Sequence, residues 1–371
     1  MRVANQTDAV QHGSMFTSPY SGRPARSFWR KGVAEETVES ITDIYWKKFQ
    51  IPRHARIATA GSCFAQHIAR HLRRAKYRVI DEEPPPAGLA QADMNRFGFG
   101  LFSARYANIY VMHQLLQLTL EARGDCVPAE PVWERRGRFF DAQRPSVEPE
   151  GFGSREEVIA HRKQHLAAFR RVLETVDIFV FTFGLTEAWI HRESNTVYPT
   201  APGTIAGTYD SALYEFKNYT FGEIYEDFLK FRRLLLQYNP AVKFILTVSP
   251  VPLTATASED HVLSATTYSK SVLRAVAGEL SKTFSEIDYF PSYELIATPF
   301  SRGALYEDNL REVSSDGVDI AMRHFMREHV EAEYVPASGP EKTIKKAKSV
   351  AMKSDDDVVC EDVLLDAFAS K

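Results

Sequence analysis

RIATAGSCFAQHIARHLRRA, residues 56–75, changes character at its centre. The first part is small, apolar and partly β-branched, which suits a strand. The second carries Phe64, Ile68 and Leu72 at four-residue spacing, which suits a helix with one buried stripe. Gly61 stands at the junction and permits a tight turn. A strand that passes through a glycine turn into a helix is the opening unit of a parallel α/β sheet. The remaining strands of such a sheet are visible as short apolar runs. ARIATA (55–60), YRVID (77–81), IFVFTF (178–183), KFILTVS (243–249) and EIDYFP (286–291) read as strands covered on both faces. Helical periodicity fills the gaps, in NIYVMHQLLQLTLEAR (108–123), EEVIAHRKQHLAAFRRVLETV (156–176), FGEIYEDFLKFRRLLLQY (221–238), SATTYSKSVLRAVAGELSKTF (264–284) and GVDIAMRHFMREHV (317–330). The alternation predicts an α/β fold: a three-layer α/β/α sandwich with a doubly wound, flavodoxin-like parallel sheet of about five strands.

Composition narrows the function. The 371 residues include 45 Lys and Arg against 48 Asp and Glu, a net charge of -3, so no nucleic-acid partner is expected. No run approaches the ~20 apolar residues of a membrane helix, and the polar opening MRVANQTDAVQHGSMF does not read as a secretory signal. Cys63, Cys126 and Cys360 lack CxxC spacing, which argues against a disulfide framework or zinc ribbon and fits a reducing cytoplasm. Residues 1–50, rich in Pro, Ser and aromatics, read as an extension packed on the domain through Phe28 and Trp29. Residues 51–335 read as the domain and 336–371 as a disordered charged tail, within which VCEDVLLDAFA (359–369) could form a short amphipathic helix.

In an open α/β sheet, ligands bind beyond the carboxyl ends of the strands. Ser62 and Cys63 fall there, at the start of a helix whose free N–H groups and dipole stabilise negative charge. A thiol in that place favours the thiolate, and the same N–H groups can hold an oxyanion. The competing reading is that Ser62 caps the helix and Cys63 is a small buried residue. GSCFAQH lacks the GxxxxGK[ST] phosphate loop, and no GxGxxG occurs in the chain.

GSCFA resembles the signature of the GSCFA family, a group related to the SGNH/GDSL hydrolases. FVFTFGLTEAW (179–189), NPAVKFILTVSPVPLTAT (239–256), SKSVLR (269–274) and YFPSYE (289–294) are similar to further blocks of that family, in family order, over about residues 15–330. The resemblance implies a five-stranded parallel core and an acyl esterase or acyltransferase that needs no cofactor. Its nucleophile would follow the first strand, a histidine would activate it, and the substrate would be an acylated sugar, lipid or cell-envelope glycan. In the Gly-Asp-Ser motif the nucleophile lies two residues after glycine, which selects Cys63, with Ser62 as the alternative; cysteine is also the better nucleophile near neutral pH.

On the same resemblance Gly61, Ala107, Asn108, Gly184 and Thr186 are candidates for the oxyanion and substrate side. Ala107, in RYANIY, stands where a glycine is expected, and an alanine cannot adopt a glycine-only backbone. The closing Asp-x-x-His motif becomes EDNLREVSSDGVD, with Asp308 in place but Arg311 at the histidine position. His261, on the loop side of the fourth strand, is the candidate general base, with His191 second. Glu187 and Glu294 could orient a histidine or bind a substrate hydroxyl, and Arg311 could hold a carboxylate or phosphate. His67 with His71, and His161 with His165, have i,i+4 spacing but neither an HExxH glutamate nor a third ligand, so they read as helix-surface histidines and no metal is expected. The rival to an enzyme is a glycan- or acyl-ligand-binding module with a degenerate closing motif.

Overall fold

The computed structural model describes residues 18–329 and residue 365. The opening unit forms as expected: strand β1 (Ile57–Gly61) turns into helix α1 (Phe64–Arg74). There follow α2 (Gln91–Arg96), α3 (Met112–Arg123), the hairpin β2 (Val132–Arg135) and β3 (Arg138–Asp141), α4 (Arg155–Thr175) and β4 (Ile178–Phe183). Next come β5 (Glu187–His191), β6 (Val197–Tyr198), β7 (Tyr214–Asn218), α5 (Phe221–Tyr238) and β8 (Lys243–Val248). The described chain closes with α6 (Val262–Thr283), β9 (Ile287–Tyr289), α7 (Ser292–Ala297) and α8 (Ser315–His329). Among the described residues, no helix is long and apolar enough to cross a membrane.

The main sheet runs β1-β4-β8-β9, every neighbour parallel. YRVID does not make a full fifth strand. Val79 forms one parallel bridge with Ile57, flanked by Ile57 N–H to Arg78 O (2.9 Å) and Ile80 N–H to Ile57 O (3.0 Å). The Val79 N–H bonds back to Tyr77 O at 3.0 Å, a local turn that takes the backbone off the extended path. With this segment counted, the spatial order is second, first, third, fourth, fifth, and the order reverses between β1 and β4. That switch point is where a doubly wound sheet opens its crevice.

Alternation along the strands separates two cores. Ala58, Ala60, Phe179, Phe181, Phe183, Phe244, Leu246 and Val248 join one cluster with residues of α3, α4, α5 and α6. Ile57, Ile178, Val180 and Ile245 join the other, with Ile68 and Leu72 of α1, Leu295 and Ile296 of α7, and Phe325 of α8. Helices on both faces make this the three-layer α/β/α sandwich the pattern predicts. Toward the carboxyl end, the face under α1 turns polar: Thr182 pairs with Gly61 on one side and with Thr247 on the other.

The N-terminal segment packs by other residues than expected. Phe28 and Trp29 are exposed, whereas Ile41, Tyr45 and Ile51 are buried in the α1–α8 cluster. Aromatic content alone was a poor guide, because Tyr45 is anchored by polarity: its hydroxyl donates to Asp288 Oδ2 at 2.9 Å. Residues 336–371, with the 359–369 segment, lie outside the described residues apart from residue 365.

Helix α5 starts on a capping box, in which Thr220 Oγ1 accepts from Glu223 N–H and the Glu223 carboxylate accepts from Thr220 N–H at 2.8 Å. Replacing Thr220 with alanine leaves the Glu223 N–H to water and should lower stability by about 1 kcal/mol, read as a lower denaturant midpoint with an unchanged slope.

Candidate active site

Gly61 is fixed by the sheet itself. Its φ of 131° is one that side chains rarely adopt, and a Cβ there would strike the Thr182 carbonyl and lie 2.7 Å from the Thr182 nitrogen. Only glycine lets β1 pass this close to β4 before turning. Ser62 N–H then donates to Thr182 O at 3.2 Å, and α1 begins, with Cys63 at its N-cap position.

The structure removes the capping half of the structural reading of this turn. Ser62 does not cap the helix: its Oγ is buried and has no hydrogen-bond partner among the described residues. Cys63 is 6% exposed but belongs to neither apolar cluster, although Phe64 packs into one and Ala65 into the other. Cys63 sits between the cores, at a helix N-terminus beside the switch point.

Segment 107–111 crosses the top of the sheet, with Ile109 N–H on Gly61 O at 2.9 Å. Ala107 has φ 60°, so the position is left-handed and an alanine does occupy it; the backbone there is strained for alanine but not restricted to glycine. Asn108 is buried, its Oδ1 accepting from Gln66 Nε2 at 3.3 Å and its carbonyl from Gln114 Nε2 at 3.0 Å. Tyr110 O receives Gly184 N–H (3.1 Å) and Leu185 N–H (2.9 Å). Gly184 is therefore a spacer rather than an oxyanion donor: its own N–H is used, and a Cβ on it would lie 3.1 Å from Ser62 Cβ. Thr186 N–H bonds Ser269 Oγ at 3.0 Å, while its hydroxyl, like those of Ser62 and Thr182, is buried with no hydrogen-bond partner among the described residues. Gly61, Ser62, Cys63, Ala107, Asn108, Gly184 and Thr186 thus form one group.

Other candidates are held elsewhere. His261 is exposed at the N-cap of α6, where its Nδ1 accepts Leu263 N–H at 3.2 Å. His191, at the end of β5, is held in its own turn by Ser194 Oγ at 3.2 Å. Glu294 is a structural anion, bonded by Arg274 Nε and by Tyr289 OH at 2.7 Å. Asp308 is exposed in the loop that carries Arg311, whose backbone N–H bonds Asn309 Oδ1 at 3.0 Å. Glu187 is half-buried on β5, accepts from Thr256 Oγ1 at 2.9 Å, and is raised by burial. One pair escaped the sequence reading: His113 Nδ1 lies 2.8 Å from Asp227 Oδ2, with the ring stacked on Tyr219. The two residues are 114 positions apart and neither belongs to a motif.

His161 and His165 are not surface histidines. They belong to a buried ionic network in which Arg144 and Arg162 share Asp141, with Arg144 Nε at 2.8 Å and Arg162 Nη1 at 3.1 Å. Burial raises the Asp141 carboxyl, but the two guanidiniums outweigh it and hold it at about 2. Glu83 is likewise raised by burial and brought down to about 2 by His165 and Arg144. Burial and Arg144 lower both histidines to about 4, so His165 is neutral near pH 7 and its Nδ1–H donates to Glu83 at 2.6 Å. Both histidines bind protons more weakly folded than unfolded, as do the two carboxylates. Their contribution is therefore complete above pH 6.5, falls as pH drops through about 4 for the histidines, and falls further toward 2 for the carboxylates. Melting temperatures should stay level from pH 8 to 7 and decline below pH 6; a level profile down to pH 4 would rule this network out as a source of acid sensitivity.

The model of the GSCFA family matches residues 56–325. No curated protein matches the chain. Among solved structures, a crystal structure of a protein from Lactobacillus plantarum shares 12% identity at a TM-score of 0.27, covering 44% of this chain and 73% of that one. A carbohydrate esterase family 3 structure from Talaromyces cellulolyticus shares 13% identity at a TM-score of 0.25, covering 59% of this chain and 89% of that one. A mutant acetyl esterase with acetate ion gives the same identity, TM-score and coverages. At such scores the fold rests on the chain's own topology.

Proposed function

We propose that this chain, which belongs to the GSCFA family, is an ester hydrolase whose nucleophile is Cys63. The observation that carries this reading is the placement of that one thiol: after β1, at the N-terminus of α1, beside the switch point and outside both cores. The Cys63 thiolate attacks the acyl carbonyl, the C–O bond to the alcohol breaks, and the departing alkoxide takes a proton from water. Water then cleaves the thioester, releasing the acid and restoring the thiol. The helix-start N–H groups are suited to the oxyanion of both steps. The hydroxyls of Thr182 and Thr186 make the surroundings of the turn polar, and an acylated glycan or a similar hydroxyl ester is the proposed substrate class. With a second alcohol in place of water, the same intermediate would make the chain an acyltransferase.

The reaction is tested by incubating the full chain with a chromogenic aryl acetate and following inactivation by iodoacetamide. Loss of turnover in step with alkylation of Cys63 is expected. The exposure of His261 and the arginine at the closing-motif position favour one alternative, a module that binds acyl or glycan ligands without turnover. Under that reading the aryl acetate is never hydrolysed.

A further inference from the structure

Lys270 is the buried lysine of the described chain, 1% exposed on α6, on a helix face whose other buried members include Leu273, Val276, Ala277 and Leu280. Desolvating an ammonium is costly, and a core helix gains nothing from it in packing. Its Nζ donates to Gly184 O at 2.7 Å. Gly184 is the residue pressed against Ser62 Cβ and Tyr110 O, and the neighbouring Ser269 takes the N–H of Thr186. The lysine side chain therefore ends at the carboxyl end of β4, on the carbonyl of the residue packed against Ser62, whereas the closing loop carries Arg311 where a histidine is expected.

We propose that Lys270 is a positioning residue of this site: its buried ammonium is the fixed positive charge that stabilises the Cys63 thiolate, in the place of an imidazolium. This rests on the hydrolase reading above. A cation held near a thiol in a poorly solvated crevice favours the ionised form. Other ionisable groups on the elements that meet here include His67 and Arg70 of α1, Tyr110 ahead of α3 and Glu187 of β5. Of these, His67 is lowered to about 3, by burial and then by Arg70, and so contributes no charge near pH 7.

A purely structural Lys270 would act as a hydrogen-bond donor alone, as it does to the Gly184 carbonyl, and Lys270→Gln separates the roles because glutamine keeps a donor and removes the charge. The experiment maps alkylation of Cys63 by iodoacetamide in the full chain across pH 5 to 10, by peptide mass, for wild type, Lys270→Gln, Lys270→Met and Lys270→Arg. Cys126, pushed up to about 11 by burial, serves as the internal reference. The expected result is a profile displaced upward by about one pH unit in both neutral variants, with roughly tenfold slower alkylation at pH 7, and recovery of most of the rate in Lys270→Arg. A Lys270→Gln profile superimposed on wild type overturns the proposal, as does a wild-type Cys63 that never reacts. Circular dichroism and melting identify a variant that fails to fold; Lys270→Arg against wild type then carries the comparison, and a profile displaced in Lys270→Arg as far as in a neutral variant also overturns it. Absence of ester turnover alongside a displaced profile would remove the hydrolase reading and leave this one standing.

Discussion

Replacing Cys63 with alanine is expected to lower kcat/KM for an aryl acetate by at least roughly a thousandfold, the scale on which loss of an attacking nucleophile acts. No neighbouring group is placed to substitute for it. Ser62 is adjacent in sequence, but its Cβ lies under Gly184 and its Oγ is enclosed. Ser62→Ala should therefore keep activity within about tenfold of wild type, since the hydroxyl contributes polarity to the crevice and not the attacking atom. Unchanged melting in both variants would assign the losses to chemistry, because each substitution removes a single small atom from a site outside the cores. The opposite ranking, with Ser62→Ala inactive and Cys63→Ala active, would transfer the role to the serine hydroxyl.

The second large effect concerns folding. Gly61→Ala forces a Cβ into the Thr182 backbone at a φ of 131°. Backbone atoms of a central strand cannot swing aside as a side chain would, so the two strands must separate at the switch point. Strain and overpacking together should cost roughly 3 kcal/mol or more, a large share of the 5–15 kcal/mol that typically holds a folded chain together. Gly222→Ala provides the control, because that glycine lies in the first turn of α5 and a Cβ there meets nothing within 4 Å. It should be neutral or stabilising by up to about 1 kcal/mol. Denaturant titration of the two variants reads the contrast directly. Equal midpoints would mean that the tight passage at Gly61 is not what sets the turn.

The sheet was legible because its central strands are covered on both faces, so IFVFTF and KFILTVS appear as unbroken apolar runs. The small antiparallel sheet was not. EAWIH and YEFKN mix charged and aromatic residues, and they pair only with each other and with β6. YRVID has strand composition, but the turn at Tyr77–Val79 leaves it a single bridge. The turn from β1 into α1 could be read from five residues, since strand, glycine and helix start are contiguous. Other contacts are assembled across long separations. The spacing of Lys270 with Leu273, Ala277 and Leu280 puts it on the buried stripe of α6 but does not say what it meets, and His113 meets Asp227 only because α3 packs on α5. His161 and His165 looked like a surface pair because their helix is rich in charge, yet Arg162 and His165 turn inward, onto Glu121, Asp141 and Glu83.

The account's central claim, that the ester is opened by the Cys63 sulfur, is tested most directly by trapping the acyl group. The full chain is mixed with an aryl acetate, quenched in acid within the first turnovers, digested and mapped by mass. An acetyl group on the peptide containing Ser62 and Cys63, localised to the sulfur and released by hydroxylamine at neutral pH as a thioester is, is the predicted result. An acetyl group on Ser62 Oγ, or steady turnover with no acyl group on either residue, would contradict it.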